Sequence, residues 1–271
     1  MFNLYLEELR GKYKDFKFKK LPKEESGIQA TIFKGTKTSK EGIKQTKFIK
    51  DYPFEDQGLA LREIIAYNII EYVNKAYKAF GFKTPAMPIP LEFDWEVTNN
   101  RIEFISSSFN KPKDNKNSDR IKGALIENKF IFVNALIGND DAHHGNVIYK
   151  SLGKQYAIDF GYSLYDYKTY IEIEATLESI AESENKKYIT DIQKKLFFWI
   201  NFLEKNKTNL YALINTTGNK VINQYSDKEI KIELKGIMRD LINPDFKENL
   251  SRLLKLYKFY YQQNEMTLKE L

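Results

Sequence analysis

Along the first hundred residues, apolar positions alternate with polar ones in short runs; along the last ninety they recur at helical spacing. Ile28–Lys34 and Thr46–Tyr52 carry β-branched and aromatic residues and are separated by Gly35–Gly42, a Thr/Ser/Lys/Gly segment of turn chemistry. This predicts two paired strands. Asp56 and Gln57 then precede Leu59–Phe80, a long helical pattern stopped by Gly81 and followed by Pro85, Pro88 and Pro90. Arg101–Ser106 reads as a further strand. The polar stretch Asn110–Asp119 can bury almost nothing and is the natural linker.

Beyond it, Ala124–Ile137 is apolar nearly all round, as expected of a helix inside a core. Val147–Tyr149 and Tyr156–Asp159 predict a hairpin across Ser151–Lys154. From Ile180 the pattern is helical, with Ile192, Leu196, Phe197, Ile200 and Leu203 on one face and Leu250, Leu253, Leu254, Tyr257, Tyr260 and Tyr261 on another. The expected class is α+β, with a β-rich lobe at residues 1–108 containing one long helix and an α-helical lobe at 109–271.

Composition narrows the functions open to this pattern. With 42% hydrophobic and 30% charged residues among 271, the chain can bury a substantial core. There is no cysteine, which excludes disulfide frameworks, thiolate metal sites and cysteine nucleophiles. The longest largely apolar stretch, Phe130–Gly138, falls far short of the ~20 residues of a membrane span, and the N-terminus lacks a signal-peptide core. A cytoplasmic protein without membrane attachment is expected. Residues 1–50 hold thirteen Lys/Arg against six Asp/Glu, which accounts for the whole net charge of +6. Only six residues are arginine, the type favoured for reading bases and gripping phosphate bidentately, so direct nucleic-acid binding is not expected.

The only two histidines, His143 and His144, lie in Gly138-Asn139-Asp140-Asp141-Ala142-His143-His144-Gly145-Asn146, between the buried helix and the hairpin. Thirteen residues after Asn146 comes Asp159-Phe160-Gly161, which the hairpin returns toward this loop. Phosphoryl transfer from ATP requires a carboxylate to accept the proton of the attacking hydroxyl and oxygen ligands to hold Mg²⁺ on the phosphates. Asp141, Asn146 and Asp159 supply that set. Magnesium keeps several of its waters, so two or three protein oxygens suffice. The histidines are then expected to brace the loop.

Such chemistry also demands a lysine for the phosphates and an acid to hold that lysine. Lys50 ends the strand pattern Lys47-Phe48-Ile49-Lys50. Glu63 stands on the long helix among Ala60, Ala66, Tyr67 and Ile70 at helical neighbour positions. A buried, unpaired carboxylate would cost several kcal/mol, so a Lys50–Glu63 ion pair is expected.

Ser26-Gly27-Ile28-Gln29 resembles the Ser-Gly-x-Gln signature of HipA-like serine/threonine kinases. Asp141-Ala142-His143-His144-Gly145-Asn146 is similar to that family's Asp-x-His-x-x-Asn catalytic loop, which phosphatidylinositol kinases share. With Lys50, Glu63 and Asp159 the resemblance spans residues ~20–170, and the order of the motifs gives it weight. It implies a bilobal protein-kinase-like fold with Asp141 as catalytic base and Asn146 and Asp159 on Mg²⁺. It further implies Lys50 on the phosphates, Ser26, Gly27, Ile28 and Gln29 in the nucleotide loop, and adenine near Phe104–Ser106, with Phe104 and Ile105 in contact.

The chain begins close to that loop, as in shorter HipT-like members. The family pattern implies a protein substrate, autophosphorylation at Ser26, and a role as a toxin partnered by a helix-turn-helix antitoxin. Asp166, in Leu164-Tyr165-Asp166, competes with Asp159 for the metal role. Two other classes remain open: a small-molecule phosphotransferase of the aminoglycoside or choline type, and a nucleotide-binding pseudokinase.

Overall fold

The computed structural model describes residues 2–22, 30–40, 42, 44–89, 93–98, 101–107, 130–139, 141–142, 146–150, 154–157, 159–164, 169–182, 185–242 and 244–270. It is a mixed α+β structure. Helix α1 (Phe2–Lys12) leads into strands β1 (Lys17–Lys20), β2 (Thr31–Thr38) and β3 (Lys44–Asp51). Helix α2 (Gln57–Ala79) follows, then β4 (Phe93–Thr98) and β5 (Arg101–Ser107). These strands form one antiparallel sheet in the order β1-β2-β3-β5-β4. Helix α3 (residues 130–137), the hairpin β6 (Val147–Lys150) and β7 (Lys154–Ala157), and helices α4 (Thr169–Ala181), α5 (Lys186–Ile222), α6 (Lys228–Ile242) and α7 (Pro244–Glu270) are the further elements among the described residues.

Strand alternation divides the sheet into two chemically different faces. Phe33 pairs with Ile49 in register, and both are buried with Phe18 and Leu9 beneath α1. Their neighbours Ile32 and Lys50 pair on the opposite face, where α2 lies. Helix α1 was not expected from the pattern; among its described side chains, Leu6 and Leu9 pack on the sheet. Gly35 was expected in a turn; it lies within β2, opposite Phe18. A Cβ at Gly35 would approach the Phe18 ring to 2.4 Å, so the glycine admits the ring and the hairpin turn moves beyond Thr38.

Helix α2 buries residues around most of its circumference, among them Leu61, Ile64, Ile65, Ile69 and Val73, because the sheet covers one side and α5 and α6 the other. Its end matches the pattern: Gly81 takes φ 101° and donates to the Lys78 carbonyl at 3.0 Å. The main apolar core is continuous from α2 through α3 to α7. In α5 the buried stripe is Ile192, Leu196, Phe198, Trp199, Phe202 and Leu203, whereas Phe197, expected inside, is 47% exposed. Among the described residues no helix is long and apolar enough to cross a membrane. The linker expected at Asn110–Asp119 lies outside the described residues.

Candidate active site

Lys50 projects from β3 toward α2 and donates to Glu63 Oε2 at 2.9 Å and to Asp159 Oδ1 at 2.7 Å. One ammonium thus bridges two carboxylates 96 residues apart in the chain. The three side chains form a gradient toward solvent: Glu63 is 3% exposed, Lys50 15% and Asp159 37%. Glu63 is the fixed anchor and Asp159 the accessible end. Burial works against the Lys50 charge, but the two carboxylates together hold its pKa above the ordinary lysine range. Burial pushes Glu63 upward, with Asp159 adding to the effect and Lys50 opposing it.

Tyr52, two residues after Lys50, donates its hydroxyl to the same Glu63 oxygen. Burial first, and then the nearby carboxylates, hold the phenol well above its usual pKa. Gln57 accepts from the Ile102 amide at 3.0 Å and from the Tyr225 hydroxyl at 2.6 Å, and donates to the Tyr52 and Pro53 carbonyls. It joins the end of β3, strand β5 and the α5–α6 connection at the start of the helix that carries Glu63.

Asp159 was expected to end a strand. Strand β7 stops at Ala157, and Asp159 stands beyond it with φ 63°, a left-handed backbone that costs a non-glycine residue free energy and clusters at functional sites. That conformation turns the chain out of the hairpin toward Lys50. The following turn is braced from two sides. Phe160 packs edge-on against Tyr67 of α2 with ring centres 4.9 Å apart, and Arg62 donates to the Leu164 carbonyl.

The second half of the site grows from the end of α3. Asn249 of α7 donates to the Ala135 carbonyl at 3.0 Å, and Asn139 donates to Asn134 through both backbone and side chain. Asn139 Oδ1 then accepts from the Asp141 amide at 3.3 Å. Asn146 Nδ2 closes the loop on the Asp141 carbonyl at 2.9 Å and on Asp141 Oδ2 at 3.1 Å. Val147 pairs with Ala157 in the β6–β7 register, so Asn146 and Asp159 leave the same end of the hairpin.

Five of the sequence-derived candidates therefore fall into two described clusters: Lys50, Glu63 and Asp159 in one, Asp141 and Asn146 in the other. Phe104 and Ile105 lie in β5, where their backbones pair with Lys50 and Ile49. Ser26, Gly27, Ile28, Gln29, His143, His144 and Asp166 lie outside the described residues. Tyr52, Gln57 and Arg62 were given no role in the site from the sequence; same-face spacing from Lys50 marks the side of the strand on which Tyr52 falls but not its bond to Glu63.

Part of the N-terminal basic excess is locally engaged. Lys37 pairs with Asp15 at 2.6 Å and Lys12 with Glu96, while Lys47 lies 5.8 Å from the Phe16 ring centre. Among the described residues no group of three or more His, Cys, Asp or Glu side chains is arranged to hold a metal ion. A scan against models of known protein families matches none, and no curated protein matches the chain.

Proposed function

We propose that this chain is an ATP- and Mg²⁺-dependent serine/threonine protein kinase with a bilobal protein-kinase-like fold, of the HipA-like type that its motifs resemble. The observation that carries this reading is the Lys50 ammonium held between the buried Glu63 and the accessible Asp159. A lysine fixed by a helix acid beside a second, solvent-facing carboxylate is the arrangement phosphate positioning requires.

In this reading Lys50 binds the nucleotide phosphates while Glu63 keeps the ammonium in place. Asp141, its carboxylate oriented by the Asn146 amide, accepts the proton of the acceptor hydroxyl as the oxygen–phosphorus bond forms and ADP leaves with the bond to the γ-phosphorus broken. Asn146 and Asp159 offer one amide and one carboxylate oxygen. This donor set suits Mg²⁺ completed by phosphate and water and is too small for a cage of protein ligands alone. Bound Mg²⁺ supplies charge neutralisation on the phosphates.

A protein acceptor, autophosphorylation at Ser26, an antitoxin partner and a cytoplasmic location belong to the same reading. The test is incubation with γ-labelled ATP and Mg²⁺, in parallel with lysate proteins and with aminoglycosides or choline. Label on serine or threonine of a protein is expected. Label only on the small alcohols would reassign the chain to small-molecule phosphotransfer, and nucleotide binding with no transfer would make it a pseudokinase.

A further inference from the structure

Glu63 Oε2 is shared by two donors from the same strand end. It accepts from Lys50 Nζ at 2.9 Å and from the Tyr52 hydroxyl. The Lys50 ammonium also lies 4.8 Å from the centre of the Tyr52 ring, within cation–π range. Close to the same hydroxyl is Gly161, where a Cβ would lie 3.1 Å from it. Tyr52 thus meets the lysine with its ring and the glutamate with its hydroxyl, and leaves too little room for a side chain at Gly161 in the turn that carries Asp159.

Packing alone does not account for this tyrosine. Tyr52 is 1% exposed, and phenylalanine would fill the same space without a polar atom to desolvate. The hydroxyl is retained in a charge-assisted bond to a carboxylate, the stronger class of hydrogen bond. A glutamate held only by a lysine keeps freedom about its outer torsions. A second donor on a stiff, fully packed ring removes it.

We propose that Tyr52 is a positioning residue of this site, acting through Glu63 to fix the Lys50 ammonium where it meets the nucleotide phosphates. The proposal rests on the phosphotransferase reading above. It has no direct contact with the transferred group and makes no proton transfer.

The test is a double-mutant cycle with a second readout that needs no turnover. Tyr52→Phe is expected to lower kcat/KM for Mg·ATP about tenfold, the size of one hydrogen bond to a charged group, with KM for the protein acceptor unchanged. In a Glu63→Gln background the same change is expected to cost less than about twofold, because the path through Glu63 is already broken. A full tenfold loss in that background would show that the Tyr52 hydroxyl does not act through Glu63 and would overturn the proposal, as would no loss in either.

The second readout is acylation of Lys50 by an amine-reactive reagent, followed by mass spectrometry with the exposed Lys75 as internal reference. Tyr52→Phe is expected to raise Lys50 labelling several-fold with Lys75 unchanged, and Gly161→Ala, which would set a Cβ 3.1 Å from the hydroxyl, to do the same. If the wild-type protein transfers no phosphate, the functional reading fails, and this labelling still decides the role of Tyr52: unchanged Lys50 reactivity in both variants refutes it.

Discussion

Leu164 donates its backbone amide to the Ile137 carbonyl at 2.7 Å. The bond fastens the turn behind Asp159 to the last residue of α3, from which the Asp141 loop departs. Because Arg62 of α2 donates to the Leu164 carbonyl, the same residue also ties that turn to the helix bearing Glu63. The two acidic clusters are therefore linked through backbone groups of one residue, itself held at φ 61°.

Removing the Lys50 charge is expected to expose how much of the fold depends on the bridge. Lys50→Met leaves Glu63 buried without its counter-charge. The expected cost is about 2–4 kcal/mol, below the upper end for a wholly buried pair because Asp159 is partly solvated. Urea unfolding measures it, and adding Glu63→Gln to Lys50→Met is expected to recover part of the loss.

Alkaline pH is expected to weaken the fold in a defined way. Lys50, Tyr52 and Tyr67 all have folded-state pKa values above their ordinary ones, so the unfolded chain releases these protons first. Their contribution is full below the ordinary tyrosine and lysine values and declines as pH rises beyond about 10. Unfolding free energies measured at rising alkaline pH should fall with a slope that is shallower by about one proton in Tyr52→Phe. Equal slopes would contradict the assignment.

Gln57 satisfies two donors and two carbonyls at once. Gln57→Leu keeps approximate volume and strands those groups, so a loss of about 3 kcal/mol is expected. Pairing it with Tyr225→Phe removes one stranded donor and should return about 1 kcal/mol of that loss in the same unfolding assay.

Gly35→Ala is expected to destabilise by about 1–3 kcal/mol through overpacking against Phe18. Shortening the ring, as in Phe18→Leu, should reduce the penalty. A neutral effect of Gly35→Ala would mean that the ring does not cross the strand there.

The sequence disclosed those parts of the site whose environment is written locally. Glu63 was legible because it is a lone acid among apolar helix neighbours, and Lys50 because it closes a strand pattern that could place it opposite. The loop from Asn139 to Asn146 was legible from its clustered polar residues. Tyr52 was not, since a tyrosine near a strand end reads as core until the distance between β3 and α2 is known. The β pattern of Tyr156–Asp159 points to a strand ending at Asp159, whereas the left-handed backbone there answers to the demands of the turn to Lys50, which outweigh that local preference. Gly35 misled for a related reason: its role is set by Phe18, seventeen residues earlier, and not by a turn. In α5, the expected buried face included Phe197, while the packing of α2 and α7 selects Phe198 and Trp199 instead.

The central claim is that Asp141 serves phosphoryl transfer from ATP to a protein hydroxyl. Purified wild-type protein and Asp141→Asn, matched for thermal midpoint, should be incubated with γ-labelled ATP and Mg²⁺ and assayed for labelled serine or threonine. The account predicts labelling by the wild type and a reduction of about 10²–10⁴-fold in the variant, the range lost with a general base. Labelling undiminished by Asp141→Asn would contradict it.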